Sequence, residues 1–236
     1  MSVSWFDVID GTWPAAARHS VGPFTLREGQ GGGSRVSAAT ADCPVTEIEI
    51  ETVEAAMRDL GQKQIFMIRP GDEALDAQLD ARGYRVVDAV TIYSCPAKQL
   101  TDIAIPRVTV FTIWEPLAIM REIWAAGDIG PARLAVMERA TGPKTGILLR
   151  HNEKPGGAAY AAIHDGIAMV HAVEIVPFQR KQGLGKWTMR GVAFWALDNG
   201  AETLSVMCTV ENEGANALYR SLGMQPVSKY HYRHLV

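Results

Sequence analysis

Apolar and polar positions alternate along this chain in a way that predicts strands and helices in turn. In the C-terminal half, the strand-like segments are residues 144–150, 158–164, 167–176, 203–208 and 226–234. Helical periodicity is found in residues 115–126, 129–139, 185–199 and 213–222. Asp165-Gly166, between two strands, is typical of a two-residue hairpin because both positions tolerate a positive φ. The pattern predicts an α/β fold with a mixed sheet.

The N-terminal half shows a shorter version of this pattern. Strands are predicted at residues 24–27, 35–40 and 65–68, and helices at 45–60 and 73–82. Residues 94–106 contain two prolines and no clear periodicity, so they are predicted to connect two domains, 1–96 and 107–236. Residues 73–84 and 213–224 share an order of strand, helix, Gly and strand, which favours a tandem pair. An unrelated α/β extension is the alternative.

Composition narrows the class of protein. The chain has 236 residues, of which 47% are hydrophobic and 21% charged, so wholesale disorder is excluded. A net charge of −3 gives no indication of a nucleic-acid partner. No apolar run approaches the roughly 18 residues of a membrane span, and the N-terminus does not resemble a signal peptide. Three cysteines without a Cys-x-x-Cys spacing do not form a disulfide framework. We expect a cytoplasmic protein without a membrane partner; its oligomeric state stays open.

The most informative stretch runs from Val173 to Lys186, where a strand leads through a glycine-containing loop into a helix. Such an arrangement favours anions, because glycine lets the backbone approach a ligand and the helix N-terminus attracts negative charge. A P-loop would need glycine where Arg180 stands, and a dinucleotide fingerprint would need its third glycine earlier than Gly191. Neither common nucleotide motif fits.

The spacing Arg180-x-x-Gly183-x-Gly185 after Ile175-Val-Pro177 resembles the R/Q-x-x-G-x-G/A motif of the GNAT superfamily of acetyl-CoA-dependent N-acetyltransferases. Residues 212–224, N-E-G-A-N-A-L-Y-R-S-L-G-M, are similar to the second signature of that family, with Met224 in place of the usual Phe. The resemblance covers roughly residues 107–236. It implies a GNAT acyltransferase fold in the C-terminal half and a smaller, degenerate GNAT-like N-terminal half.

The resemblance also implies roles for particular residues. Backbone amides would bind the CoA pyrophosphate at Arg180, Lys181, Gln182, Gly183, Leu184, Gly185 and Lys186. The strand around Val173 and Ile175 would pair with the pantetheine arm, and Asn212 would steady the coenzyme or the neighbouring loop. Tyr219 would be the general acid beside the thioester sulfur, the alternative being a ring packed on the sheet. No metal is expected.

Two residues are candidates for the general base that the amine acceptor requires. Period-2 alternation places His171 on the same face as Val173 and Ile175, and an imidazole pKa near 6.5 suits the task. Glu174 is predicted on the opposite face unless a β-bulge re-aims it. A bulge would also expose a strand N–H to the developing oxyanion. A base reached through water, or no base, stays open.

Other patterns carry less chemistry. His231-x-x-His234 suggests a metal site, but these side chains face opposite sides of a strand, which favours surface residues. Tyr230 and Tyr232 share a face and are expected to pack in a sheet, a substrate groove being the alternative. Residues 31–34, G-G-G-S, are expected to form a hairpin turn. The N-terminal half lacks the R/Q-x-x-G-x-G motif after its strand at 35–40 and carries Leu79 where Tyr219 would be, so we expect it to be non-catalytic.

These observations predict an N-acetyltransferase that moves an acetyl group from acetyl-CoA to a primary amine by direct attack in a ternary complex. A non-catalytic acyl-CoA sensor and a GNAT-shaped protein-interaction module are the alternatives. Another donor, such as succinyl-CoA, is compatible with the same motifs. A small metabolite, an antibiotic, a peptide N-terminus and a protein lysine all fit as acceptors.

Overall fold

The computed structural model describes residues 4–235 of the chain. Its helices are α1 (Trp5–Thr12), α2 (Glu47–Asp59), α3 (Glu73–Ala81), α4 (Ala118–Ala126), α5 (Pro131–Arg139), α6 (Leu184–Asp198) and α7 (Glu213–Ser221). Its strands are β1 (Ala17–Val21), β2 (Phe24–Glu28), β3 (Ala39–Ala41), β4 (Ile65–Ile68), β5 (Arg85–Pro96), β6 (Val110–Ile113), β7 (Lys144–His151), β8 (Lys154–His164), β9 (Ile167–Ile175), β10 (Thr203–Thr209) and β11 (Gln225–His234). Short 3₁₀ turns occur at Ser34–Val36, Ala97–Leu100 and Pro177–Gln179. Within residues 4–235, no helix has the length and apolar content needed to cross a bilayer.

The chain forms two compact units. The C-terminal unit contains residues 92–208 and 212–227 together with the segment ending at Pro14, and the N-terminal unit contains residues 15–91, 209–211 and those from Ser228 onward. The units therefore differ from the domains predicted at 1–96 and 107–236 in four segments: the one with α1, the end of β5, residues 209–211 and the end of β11. Each unit is built partly from the other half of the sequence.

In the C-terminal unit, the strands are arranged in the order β5-β10-β9-β8-β7-β6. Strands β6 to β9 pair in antiparallel fashion, and β9 pairs with β10 in parallel, with α6 as the connection. The turn between β8 and β9 has a positive φ at Asp165 (48°) and at Gly166 (72°), as the hairpin prediction requires. One face of these strands packs its apolar side chains against Leu184, Met189 and Val192 of α6.

In the N-terminal unit, the strand order is β1-β2-β3-β4-β11. Strands β1, β2 and β3 are antiparallel, β3 and β4 are parallel and joined through α2, and β11 is antiparallel to β4. Each unit thus contains a parallel pair joined through one helix. Each also includes a strand from the other half of the sequence, β5 in one and β11 in the other.

The predicted fold class and most predicted elements are confirmed, with two corrections. The strand predicted at 35–40 is instead a 3₁₀ turn followed by the short strand β3, because Gly33, with a φ of 96°, bends the chain before Ser34. The connector predicted at 94–106 begins inside β5 and continues as a 3₁₀ turn, and its Cys95, Ala97 and Leu100 are buried in the core of the C-terminal unit. Residues 94–106 therefore belong to the C-terminal unit and do not link two domains.

Candidate active site

A β-bulge interrupts strand β9 in the middle of the C-terminal unit. Tyr160 of β8 lies opposite His171, but Ala158, two residues away, lies opposite Glu174, so β9 contains one residue more than its partner. Ala172 has a φ of 50°, which a non-glycine residue adopts only where the surroundings hold it. The indole Nε1 of Trp124 on α4 donates to the Ala172 carbonyl at 2.8 Å. Helix α4 therefore supports the bulge.

The bulge changes which side chains of β9 share a face. The prediction that His171 lies with Val173 and Ile175 is wrong, because the extra residue shifts the period-2 alternation by one position. Val173 and Ile175 pack against the core on the α6 side. His171 and Glu174 lie opposite Tyr160 and Ala158, which share the other face of β8. The bulge thus brings the two candidate bases to one face.

His171 is enclosed by the protein. Its imidazole Nε2 lies 2.9 Å from the Thr12 hydroxyl at the end of α1. The indole of Trp13 lies 5.1 Å from the imidazole between ring centroids, and the Tyr160 ring lies at 6.1 Å. Only 4% of His171 is exposed, so the side chain has little contact with solvent.

Glu174 lies closer to the surface, with 19% of its side chain exposed. Its Oε1 pairs with Nη2 of Arg180 at 3.1 Å. Its Oε2 faces the end of α4, where a Cβ on Gly127 would lie 2.5 Å away. Glycine at 127 therefore makes room for this carboxylate, which lies between α4 and the loop that follows β9.

That loop leads into α6 and leaves the N-terminus of the helix without a side-chain cap. Gly183 is the N-cap residue with a φ of 83°, has no side chain to accept from the helix, and is followed by a first turn without acidic residues. A Cβ on Gly183 would meet nothing within 4 Å, so the space beside it is open. Helix termini leave the first N–H groups without intrahelical partners, and such groups bind anions. Arg180, Lys181, Gln182 and Lys186 are exposed around this end of the helix.

The two glycines of the motif have different surroundings. A Cβ on Gly185 would lie 2.7 Å from Leu218 Cδ2, so Gly185 permits close packing of α6 on α7. Leu184, between them, is 1% exposed and packs in the core. Its side chain is therefore not accessible to a ligand, and only its backbone could contact one. Gly183 faces open space, and Gly185 lies against the protein.

The pairing of β9 with β10 runs from Ile167–Thr203 to Val170–Val206. Both strands continue beyond this point, and residues 172–175 and 207–209 change from buried to half-buried. The two strands are therefore unpaired with each other beyond Val170 and Val206, and their residues there are partly accessible. Val173 and Ile175, the residues predicted to pair with pantetheine, lie on this unpaired part of β9, and the loop before α6 follows directly.

Tyr219 of α7 is 4% exposed, and its ring lies 5.7 Å from that of Tyr93 on β5. Burial raises the pKa of its phenol well above the ordinary value, and the Cys208 thiol on β10 adds to the rise. Within the described part of the chain, the Tyr219 hydroxyl has no hydrogen-bond partner. The phenol is therefore protonated at neutral pH with its O–H available to a ligand.

Asn212 caps α7 rather than extending away from it. Its Oδ1 accepts from the Ala215 N–H at 3.0 Å, and its carbonyl accepts from Asn216 Nδ2 at 2.8 Å. Asn216 Oδ1 in turn accepts from the Tyr93 hydroxyl at 2.7 Å. Asn212 therefore stabilises the start of the helix that carries Tyr219. Contact between Asn212 and the coenzyme stays a prediction.

Several residues that build this site were not found from the sequence. Thr12 and Trp13 belong to the end of α1, and Trp124 belongs to α4; they contact β9 from more than forty positions away in the sequence. Ser4, whose side chain caps α1, and Pro14 just beyond it are the local signals that this helix exists. Nothing local indicates which strand the helix covers.

The remaining predicted patterns belong to the N-terminal unit. His231 Nε2 lies 2.9 Å from Asp76 Oδ1, and burial lowers the pKa of His234. Tyr230 and Tyr232 are each 3% exposed and pack together, as sheet residues do. Among the residues with described positions, no three His, Cys, Asp or Glu side chains form a group that would hold a metal ion.

The family model "Acetyltransferase (GNAT) family" matches residues 115–224. An uncharacterized N-acetyltransferase of Bacillus subtilis, YobR, is 25% identical over 232 residues, which is 94% of each chain. A GCN5-related N-acetyltransferase from Kribbella flavida has a similar structure, with a TM-score of 0.70 and 21% identity over 96% of this chain and 91% of the other. A tandem GNAT protein from the clavulanic acid biosynthesis pathway has a TM-score of 0.61 and 14% identity, over 90% of this chain and 77% of that one.

Proposed function

Because residues 115–224 of this chain match the GNAT acetyltransferase family model, we propose that the protein transfers an acetyl group from acetyl-CoA to a primary amine. The proposal starts from the similarity of this chain to GNAT acetyltransferases in sequence and in fold. The donor, the kind of acceptor and a direct attack within a ternary complex are the proposal. The open N-terminus of α6 at Gly183, next to a bulged strand, is the observation that carries it.

The residues around this helix end fit a diphosphate. The backbone approaches an open space at Gly183, and the exposed Lys181, Arg180 and Lys186 add positive charge. Backbone amides from Arg180 to Lys186 would hold the coenzyme diphosphate, and the edge of β9 at Val173 and Ile175 would hold its pantetheine arm. Acetyl-CoA supplies the chemistry of an activated thioester.

Glu174 is the better candidate for the general base. A lysine-like amine has an ordinary pKa near 10.4, so it arrives protonated and must lose a proton before attack. Glu174 is partly exposed and lies on the part of β9 that is not paired with β10, whereas His171 is buried with Nε2 held near Thr12. We assign proton removal to Glu174, and we assign His171 a positioning role beneath α1.

Tyr219 would donate a proton to the departing thiolate. Its raised pKa keeps the O–H in place at neutral pH, and no residue in the described ranges already takes that hydrogen bond. A coenzyme thiol comparable to cysteine, with a pKa near 8.5, is already a fair leaving group, so the acid contributes less than the base. Backbone N–H groups at the Ala172 bulge would donate to the carbonyl oxygen as it gains charge.

Direct attack is favoured over an acyl-enzyme route because the cysteines of the C-terminal unit are poor nucleophiles. Burial raises the pKa of Cys208 to about 11 and that of Cys95 to about 11. The thiolate is the nucleophilic form, so little of it exists near pH 7. The amine must then meet the thioester itself.

Isothermal titration with acetyl-CoA tests this proposal, with Gly183→Asp as the matched variant. An aspartate at the N-cap accepts from the N–H groups that would bind the diphosphate and repels its charge, so we expect at least about a hundredfold weaker binding. Wild-type binding would be followed by an amine panel scored for released CoA. No binding to the wild type would contradict the proposal. Binding without turnover of any amine would indicate an acyl-CoA sensor.

A further inference from the structure

Arg180 connects the coenzyme loop with the candidate base. Its backbone lies in the loop before α6, while its guanidinium turns back toward β9. Nη2 donates to Glu174 Oε1 at 3.1 Å, and Nε donates to the Ile175 carbonyl at 3.0 Å. One side chain of the anion loop thus occupies an oxygen of the carboxylate that would take the proton.

The guanidinium is well placed to change partners. Its side chain is 58% exposed, whereas that of Glu174 is 19% exposed and lies against the end of α4. Arginine carries five N–H donors on a planar guanidinium, which can form two parallel hydrogen bonds to the oxygens of a phosphate. A diphosphate carries more charge than one carboxylate and accepts stronger hydrogen bonds from the guanidinium. The exposed partner can therefore move while the carboxylate stays in place.

We propose that Arg180 is shared between Glu174 and the coenzyme, so that coenzyme binding releases the base. This inference rests on the proposed function, since it assigns the loop to a diphosphate and Glu174 to proton removal. With the loop empty, Arg180 holds Glu174 Oε1. With the loop occupied, the guanidinium turns to the diphosphate, and the carboxylate becomes free for the amine. Arg180 is a positioning residue, and the coenzyme precedes the amine.

A double-mutant cycle on coenzyme binding tests the exchange without a known acceptor. The proteins are the wild type, Glu174→Gln, Arg180→Gln and the double variant, and the probe is CoA in a calorimeter. Glutamine at 180 keeps a residue that the R/Q-x-x-G-x-G/A motif also uses. If Arg180 must leave Glu174 to bind CoA, Glu174→Gln tightens binding by about 1.5- to 5-fold, the range set by exposed ion pairs. In the Arg180→Gln background the same change has no such effect.

Two controls separate the exchange from general electrostatics. Glu138→Gln, on the exposed side of α5, changes the net charge equally and is expected to alter CoA affinity by less than about 1.5-fold, since exposed charges are screened. Pantetheine lacks the diphosphate, so its affinity should not respond to Glu174→Gln. Melting curves confirm that each variant is folded.

The outcomes are distinct. A gain in CoA affinity from Glu174→Gln that depends on Arg180 supports the exchange. An equal gain in both backgrounds, or none in the wild-type background, overturns it and leaves the acetyltransferase proposal intact. If the wild type binds neither CoA nor acetyl-CoA, the proposed function fails first and the exchange fails with it.

Discussion

Helices α2 and α6 each join the two strands of a parallel pair in their unit, but only α2 has a side-chain cap at its N-terminus. Each follows one strand of a parallel pair and leads to the other. Helix α2 begins with a capping box in which Glu49 accepts from the Thr46 N–H at 2.7 Å and the Glu49 N–H donates to Thr46 Oγ1 at 3.4 Å. Helix α6 begins with Gly183 and has no side-chain cap.

The N-termini of α2 and α6 differ at the N-cap residue and at the third residue after it. Threonine and glycine are the N-cap residues, and three residues later α2 has Glu49 while α6 has Lys186. Hydrogen bonds from Thr46 hold the pKa of Glu49 below its ordinary value, so this carboxylate stays charged at the helix end. The Glu49 carboxylate of α2 occupies the end of its own helix. Under the proposed function, the corresponding end of α6 is left for the coenzyme diphosphate, so a shared arrangement of strands would give one binding site.

Among the changes that test this comparison of α2 with α6, the largest effect is expected from giving α6 the residue that α2 has at its third position. Lys186→Glu places a carboxylate at the third position of the helix, where it competes for the same N–H groups and repels phosphate. We expect CoA to bind about 10- to 100-fold more weakly, measured by titration calorimetry, with the melting temperature nearly unchanged. Lys98→Glu, an equal charge change on an exposed residue of the same unit, serves as control. Equal losses in both variants would contradict a local effect.

Tyr219 and Leu79 form the next comparison, because aligning residues 73–84, which include α3, with residues 213–224, which include α7, places Leu79 opposite Tyr219. Tyr219→Phe removes the proton donor but keeps the packing on Tyr93, so kcat should fall about 10- to 100-fold with little change in KM. Steady-state kinetics with an amine accepted by the wild type measures this split. A rise in KM at constant kcat would indicate a binding role instead.

Opening α2 is expected to cost stability without creating a site. Thr46→Ala removes the N-cap, and loss of such a cap lowers the free energy of unfolding by about 1 kcal/mol. Denaturant unfolding measures the loss, and CoA affinity should stay at the wild-type value. A change in CoA affinity would show that the α2 end takes part in coenzyme binding.

The smallest effect concerns acid stability of the N-terminal unit. Burial alone would raise the pKa of Asp76, but hydrogen bonds from Arg233 at 2.7 Å and His231 at 2.9 Å outweigh it and hold the pKa below its ordinary value. A carboxyl with a lowered folded pKa stabilises the fold above its unfolded pKa, near 3.9, and loses that contribution as the pH falls through the folded value.

Asp76→Asn should therefore lower the unfolding free energy at pH 7 by about 1 kcal/mol or less, and the gap should narrow below about pH 4. Unfolding curves measured across that range test the sign. A gap that widens in acid would contradict the assignment to Asp76.

Most of the fold could be predicted from the sequence, because the strands and helices of this chain follow local periodicity. Strand β4 has its predicted bounds, and α6 lies within one residue of them. The glycine-containing loop before α6 could also be predicted, because the spacing of its glycines is a local feature of the sequence. The bulge at Ala172 has no local signal, since alanine does not break strands and the Trp124 indole that donates to its carbonyl lies far away in the sequence. Period-2 counting therefore placed His171 on the wrong face, and only the three-dimensional register corrects it.

Each unit includes a strand from the other half of the sequence, and this sets the order in which the sheets are completed during synthesis. β4 has β11 as a neighbour, with Ile68 opposite His231, so the sheet of the N-terminal unit is completed by a strand that is synthesised long after β4. Until then β4 presents an open edge to other chains, and pairing across so long a stretch of sequence is slow. A fragment that stops near residue 96 would keep that edge permanently, so the two halves of this sequence mature together.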